Sequence, residues 1–216
     1  MHVVFDNFDL YVDGFFKTLG ICAWAAVGAV VLGTLLAAFR VSPVPPLRWT
    51  GTGYVTVVRN CPLTVVLFFV AFGLPEIGVN QSYYRFALGG LIIYTAAFVC
   101  EAVRSGINSV AAGQAEAARA IGLTFTQSLR FVVLPQALRS VVPPLGSVLI
   151  AMVKNSAIVG AFGVAGDLYN VGLTLTGAGG NAALPVLTGV VLGYLAITIP
   201  AGLTLGVIER KVTVAR

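Results

Sequence analysis

Five stretches of the chain are apolar over lengths that can cross a lipid bilayer, and short polar segments separate them. A helix rises about 1.5 Å per residue, so a hydrocarbon core of about 30 Å requires roughly twenty apolar residues. The predicted spans cover about residues 15–39, 54–74, 86–103, 138–164 and 184–207. The pattern therefore predicts an all-α integral membrane protein, folded as one transmembrane domain of about five helices over residues 1–216.

The fourth and fifth stretches contain residues that disturb a regular transmembrane helix. Lys154, Asn155 and Ser156 interrupt the fourth stretch, which predicts a break in the helix near the middle of the membrane. The following segment, residues 163–181, holds too many Gly and Asn residues to form a stable lipid-facing span. In the fifth stretch, Pro200 lacks a backbone donor and predicts a kink.

Aromatic residues recur before and at the start of the first span. They are Phe5, Phe8, Tyr11, Phe15 and Phe16. Their spacing predicts an apolar stripe that lies in the outer interface of the membrane. The same region carries three Asp residues and no Lys or Arg before Lys17, a charge pattern unlike that of a secretory signal peptide.

The composition and the distribution of charge predict a membrane protein with a defined orientation. Only 10% of the residues are charged and 58% are hydrophobic, whereas a soluble domain has about a quarter charged residues. The net charge of +5 does not indicate a nucleic-acid partner, because the basic residues lie singly between apolar spans. With the N-terminus outside, nine basic residues lie inside: Arg40, Arg48, Arg104, Arg119, Arg130, Arg139, Arg210, Lys211 and Arg216. Only Lys17 and Arg85 lie outside, so the positive-inside rule predicts a cytoplasmic C-terminus.

A helix–glycine–helix elbow is predicted in the long polar segment between the third and fourth spans. Glu116, Ala117 and Ala118 are good helix formers, and Gly122 is typical of a helix stop. Thr124 can cap a second short helix. The pattern predicts a short rigid knob in the cytoplasm, and the alternative is an ordinary interfacial helix between two spans.

Three charged residues remain near the inner ends of the second and third spans. Glu101 and Arg104 are one helical turn apart, and Arg59 enters the second span at a similar depth. A charge within hydrocarbon costs several kcal/mol unless it is paired or hydrated. The three residues are either a structural ion-pair cluster or a gate that faces a translocation path.

Lys154 lies deeper than the other charges. It is fifteen residues beyond Arg139, or about 22 Å at helical rise, which places it beyond the midplane. A cation beside a helix break, with Asn155 and Ser156 next to it, suits a substrate carboxylate. The alternative is that Lys154 snorkels outward or pairs with Asp167.

The sequence holds no evident catalytic constellation. His2 is its single histidine, so it offers no Ser-His-Asp or histidine–metal site. A Ser–Lys hydrolase built from Lys154 and Ser156 is disfavoured, because residues two apart on a helix face different ways. The sequence also lacks a P-loop, so a transport function needs an energised partner or an ion gradient. A gradient-driven transporter or channel would be expected to bury more acids than Glu101 alone.

The elbow resembles the cytoplasmic loop signature of bacterial ABC importer permeases. That signature reads Glu-Ala-Ala, three residues, Gly, nine residues, an aliphatic residue, one residue and Leu-Pro. Here it is Glu116-Ala117-Ala118, Gly122, Val132 and Leu134-Pro135, within a coupling loop of about residues 105–137. Further segments resemble the polar amino acid branch, and within it the glutamate permeases of actinobacteria: Val58-Arg59-Asn60, Arg104-Ser105-Gly106-Ile107-Asn108 and Lys154-Asn155. Cys61 stands where that branch usually has Thr.

The resemblance implies a fold, a set of partners and a set of site residues. It implies the type I ABC importer permease fold in a bacterial cell membrane, with alternating access for a polar amino acid, glutamate in particular. The partners would be membrane lipid, a second permease of the same fold as a paralogue, a cytoplasmic ATPase dimer and an external solute-binding protein. ATP and Mg would bind to the ATPase, and no cofactor to this chain. The coupling residues would be Glu116, Ala117, Ala118, Arg119 and Gly122, and the substrate path would include Arg59, Glu101, Lys154, Asn155 and Ser156.

Overall fold

A computed structural model describes residues 2–162 and 166–212. All regular elements within these two ranges are helical. The α-helices are α1 His2–Asp6, α2 Phe8–Val41, α3 Pro45–Asn60, α4 Leu63–Phe68, α5 Leu74–Glu76, α6 Tyr83–Asn108, α7 Ala112–Ala120, α8 Phe125–Ser128, α9 Leu134–Ala161, α10 Leu168–Thr176 and α11 Ala183–Val212. Two π-helical turns, Phe69–Gly73 and Leu129–Val133, join α4 to α5 and α8 to α9.

Within the described ranges, four helices are long and apolar enough to span a membrane: α2, α6, the combined helix Phe125–Ala161 and α11. The bent pair Pro45–Asn60 and Leu63–Glu76 forms a fifth crossing if it counts as one span. Each predicted span thus corresponds to one of these helical segments. The end of the fourth span, at residues 163–164, and Arg216 lie outside the described residues.

Helices α2 and α6 form the centre of the bundle because small residues let them approach closely. A Cβ placed at Gly33 of α2 would lie 2.8 Å from the carbonyl oxygen of Ala96 and would overlap Val99, both on α6. Gly28, one turn and a half earlier, faces Ile92 in the same way. In lipid, the hydrophobic effect does not drive helices together. Close van der Waals packing of this kind contributes to their association instead.

The aromatic stripe predicted at the N-terminus is divided between two environments. Phe5, Phe8 and Phe16 are exposed as expected, but Tyr11 is buried and its hydroxyl donates a hydrogen bond of 3.0 Å to the carbonyl of Val186 on α11. The prediction of one continuous stripe was wrong, because α2 starts at Phe8 and turns part of the stripe into the bundle.

The second span was predicted as continuous over residues 54–74, and this was wrong. The helix stops at Asn60, Cys61 is extended with ψ 136°, and the axes of the two halves differ by 109°. Pro62 explains the break, since its ring disfavours the helical conformation in the preceding residue. The second half, from Leu63 to Glu76, rises about 21 Å and would not cross the hydrocarbon core alone.

The break predicted at Lys154, Asn155 and Ser156 does not occur. Helix α9 runs without interruption from Leu134 to Ala161. Polar side chains do not interrupt backbone hydrogen bonding, and Ser156 satisfies its hydroxyl by donating to the carbonyl of Val153 at 2.7 Å. Hydropathy alone therefore placed the discontinuity of the bundle in the wrong helix.

The glycine-rich segment 163–181 contains the short helix α10, whose start is fixed by a buried aspartate. The carboxylate of Asp167 accepts a 2.9 Å hydrogen bond from the backbone N–H of Asn170. The N–H of Leu168 donates to Thr18 Oγ1 on α2 at 3.0 Å. Asp167 is only 1% exposed, and burial raises the pKa of its carboxyl group to about 6.

Asp167 is expected to make stability depend on pH. Its pKa is higher in the folded state than the ordinary value of 3.8, so folding favours the protonated form and stability should rise as the pH falls from 7 towards 4. Asp167→Asn keeps a capping side chain without the charge and should flatten this dependence. Asp167→Ala should remove the cap and cost about 1 kcal/mol.

Thermal unfolding of the assembled transporter at pH 5 and pH 7.5 measures this effect. Asp13→Asn provides the control, since Asp13 is exposed on α2 and pairs only with Lys17 among the described residues. It should leave the difference between the two pH values unchanged. An equal difference in the Asp167→Asn and unmodified proteins would contradict the assignment.

Candidate coupling elbow and translocation path

The elbow begins with α7, which ends at a glycine in the left-handed region. Gly122 has φ +90°, a value that residues with a side chain rarely adopt. Its N–H donates to the carbonyl of Arg119 at 2.9 Å, and the N–H of Leu123 donates to that of Ala118 at 3.1 Å. These bonds satisfy carbonyls at the end of α7 and terminate the helix, as in a Schellman motif.

The second arm of the elbow is capped in the way the sequence predicts. The N–H of Gln127 donates to Thr124 Oγ1 at 3.3 Å, and the N–H of Thr124 donates to Gln127 Oε1 at 2.9 Å. This capping box starts α8, which continues through the π-helical turn into α9 as one helix of 37 residues, Phe125–Ala161. The second arm of the elbow is therefore continuous with the fourth span.

Four of the five predicted coupling residues lie on the surface of the elbow. Glu116, Ala117, Arg119 and Gly122 are exposed, whereas Ala118 is buried against the rest of the loop. Ala118 therefore belongs to the packing of the elbow and not to its outer surface.

Apolar side chains that the sequence analysis did not select are exposed at the same tip. Ile121 is 81% and Phe125 75% exposed, on either side of the glycine turn. Beside them a cavity of about 150 Å³ is lined by Arg119, Phe125 and Ser128, among others. The sequence signal that could have identified this surface is a pair of apolar residues on either side of a helix-stop glycine in a polar loop.

The charged residues of the second and third spans meet at one carboxylate. Glu101 receives a close hydrogen bond from Arg40, lies 3.4 Å from Arg104 Nη2 and lies 3.7 Å from Arg59 Nη1. The structure thus brings together the three residues predicted to cluster and adds Arg40, which had been counted only as a cytoplasmic charge.

Two neighbouring cavities share the ring of Phe98. One, of about 390 Å³, is lined by Arg40, Arg59, Asn60, Glu101 and Arg104 together with Phe98. The other, of about 150 Å³, lies between α6 and α9 and is lined by Tyr94, Thr95, Phe98, Met152 and Asn155. The guanidinium carbon of Arg59 lies 5.5 Å from the centre of the Phe98 ring, a cation–π distance.

The remaining residues of the predicted path point in different directions. Asn155 lines the smaller cavity, whereas Lys154 is exposed on α9. Ser156 is buried on another face of the helix. Within residues 2–162 and 166–212, no acidic side chain lies within 4 Å of Lys154, so the suggested pair with Asp167 is not formed there. The divergence of Lys154 and Ser156 also removes the geometry that a Ser–Lys hydrolase requires.

Residues 29–213 match the family model described as "Binding-protein-dependent transport system inner membrane component". The chain belongs to this family. The matched range includes the elbow and all the residues that line the two cavities.

Relatives and solved structures agree with the membership. A probable glutamine ABC transporter permease protein of Bacillus subtilis is 39% identical over 97% of this chain and 96% of its own length. The glutamate transport system permease protein GluC of Corynebacterium efficiens is 39% identical over 94% of this chain and 93% of its own. The crystal structure of an amino acid ABC transporter with histidines superimposes with a TM-score of 0.89 at 29% identity, covering 96% of each chain.

The membership defines the type of protein. The chain is the membrane-embedded permease subunit of an ABC amino-acid importer, it is not an enzyme, and a separate subunit hydrolyses ATP. The family name also implies a substrate-binding protein. The gradient-driven and hydrolase alternatives are therefore excluded, and the all-α type I importer fold in the cell membrane is confirmed.

Proposed function

We propose that this chain imports glutamate as one of two permease subunits of the same fold. ATP and Mg bind to the partner ATPase, and the elbow transmits the closure of the ATPase dimer to the spans. The observation that carries the substrate assignment is the guanidinium-rich cavity around Glu101, because an excess of positive charge suits an anionic amino acid.

The elbow supports the coupling role through its shape and its surface. Glu116 and Arg119 offer charges, and Ile121 and Phe125 offer apolar surface, on a tip whose conformation Gly122 determines. Such a tip, which presents both apolar and charged side chains, suits docking into a cleft of another protein. Because α8 and α9 are one helix, docking at the tip would tilt the fourth span and open the path alternately to each side.

The second permease is supported by the apolar surface that the described bundle leaves uncovered. Helix α11 exposes many large apolar side chains, including Leu184, Leu187, Val191 and Leu203. Part of this surface faces lipid, and we propose that part of the bundle packs against a paralogue of the same fold, which completes the path.

The substrate is tested by uptake in cells that lack this chain. We expect them to lose the glutamate uptake that survives dissipation of the proton gradient, and to regain it on expression of the unmodified chain. Unlabelled glutamate should compete with labelled glutamate far better than glutamine or arginine does.

Glutamine is the competing substrate, since a glutamine permease is as similar to this chain as the glutamate permease is. Stronger competition by glutamine would overturn the glutamate assignment and leave the importer function intact. Uptake that collapses with the proton gradient would contradict the ATP-driven mechanism itself.

A further inference from the structure

Guanidinium groups from three helices line the larger cavity, called here the guanidinium cavity. Arg40 comes from the end of α2, Arg59 from the end of α3, and Arg104 from α6. Glu101 is the only acid within 4 Å of these three groups in the described part of the chain. Three positive charges against one negative charge leave an excess of two.

The three arginines are not equally engaged with Glu101. Arg40 is only 13% exposed and makes the closest contact. Arg59 is 43% exposed, and its Nη1 at 3.7 Å is beyond hydrogen-bonding distance. Arg104 reaches Glu101 only through Nη2, at 3.4 Å, and 39% of its side chain is exposed. Arg59 and Arg104 therefore retain donors for a second acceptor.

The guanidinium cavity lies near the cytoplasmic end of the bundle. Glu101 is seven residues before the end of α6 at Asn108, a rise of about 10 Å, and α7 of the elbow follows at once. Phe98 lines both this cavity and the pocket that contains Asn155, so the two lie side by side. A solute that leaves that pocket toward the cytoplasm would reach the arginines after passing one aromatic ring.

We propose that the guanidinium cavity binds the two carboxylates of a dicarboxylic amino acid on its way to the cytoplasm. Arg59 and Arg104 bind the carboxylates, since a planar guanidinium pairs with a carboxylate through two parallel hydrogen bonds. A volume of about 390 Å³ falls within the range of about 300–1,000 Å³ for small-ligand sites. This inference rests on the function proposed above.

Binding of labelled L-glutamate tests the site. The complete transporter, with partner permease and ATPase, is placed in nanodiscs without the solute-binding protein. Arg59→Gln should weaken glutamate binding about tenfold or more, the usual worth of a charge-assisted hydrogen bond. Binding of L-glutamine, which has one carboxylate, should fall less. Arg48→Gln is the matched control, because Arg48 is exposed on the same helix and does not line the cavity.

A second variant separates a ligand site from a purely structural ion-pair cluster. Glu101→Gln removes the carboxylate that competes for the arginines, so glutamate should bind severalfold more tightly. If the ion pairs are purely structural, Arg59→Gln and Glu101→Gln should both bind glutamate more weakly. Gel filtration shows whether the Glu101→Gln complex assembles. If it does not, the comparison of glutamate binding by Arg59→Gln and Arg48→Gln tests the site.

The outcomes distinguish this site from the proposed function. An unmodified transporter that imports no glutamate refutes the proposed function. A transporter that imports glutamate but binds it equally well with Arg59→Gln and Arg48→Gln refutes only the site. An effect of Arg59→Gln that disappears in nanodiscs without anionic lipid would assign the cavity to lipid headgroups, and would also overturn the inference.

Discussion

Gly122→Asp is expected to reduce transport at least tenfold while the protein remains in the membrane and the ATPase remains active. Gly122 has φ +90°, so any side chain there strains the turn between α7 and α8, and aspartate adds a charge at the tip. The strain would move Glu116 and Arg119 relative to Phe125. When both are measured in the same proteoliposomes, ATP hydrolysis should continue while solute uptake falls.

The control is the same substitution at Gly113. This residue is also exposed on the elbow, has no neighbour within 4 Å of an added Cβ, and does not have a positive φ. Gly113→Asp should keep hydrolysis and transport coupled. Transport at the full rate in the Gly122→Asp protein would refute the role of the elbow.

Gly106→Ala is expected to destabilise the protein by about 3 kcal/mol, the upper range for overpacking a tight contact. An added Cβ would lie 2.9 Å from the backbone nitrogen and 3.0 Å from the Cα of Val141. These atoms cannot move aside like the end of a flexible side chain. Helices α6 and α9 would separate at the base of the elbow, so both stability and coupling should suffer.

Thermal unfolding of the purified complex measures this loss, expected on the order of 8 °C. Gly89→Ala on the same helix is the control, because no atom lies within 4 Å of its added Cβ. It should be neutral or slightly stabilising, as alanine favours helices over glycine. Equal midpoints for the two variants would show that the α6–α9 contact is looser than described.

The elbow could be predicted from the sequence because its determinants are local. Gly122 as a stop and Thr124 as a cap act on backbone groups within four residues of themselves. The membrane class also followed from composition. These features depend on nearby residues and on the solvent, and not on how the chain packs against itself.

The discontinuities of the bundle were harder to locate from the sequence. Average hydropathy predicted a second span that continues through Pro62. The helix instead ends at Asn60, because a proline restricts the backbone of the residue before it. Both π-helical turns, Phe69–Gly73 and Leu129–Val133, end directly before a Leu-Pro pair. A proline lacks the N–H that an α-helical carbonyl four residues earlier would accept, so the hydrogen bonds shift by one residue.

The composition of the guanidinium cavity could not be predicted from sequence spacing. Arg40 is 61 residues from Glu101, and only the packing of α2 against α6 makes them neighbours. Glu101 and Arg104 were recognisable as a pair because they are three residues apart on one helix. The path residue Asn155 joined a cavity, whereas its neighbours Lys154 and Ser156 did not, because adjacent residues of a continuous helix face different ways.

The central claim is that the elbow is cytoplasmic and docks on the ATPase. It is tested most directly by labelling Ile121→Cys with a membrane-impermeant maleimide, after Cys61 has been replaced by serine. Ile121 is 81% exposed at the tip, and the other two cysteines, Cys22 and Cys100, are buried. We expect labelling in inside-out vesicles only, with protection when the ATPase is bound. Labelling in right-side-out vesicles, or equal labelling with and without the ATPase, would contradict the claim.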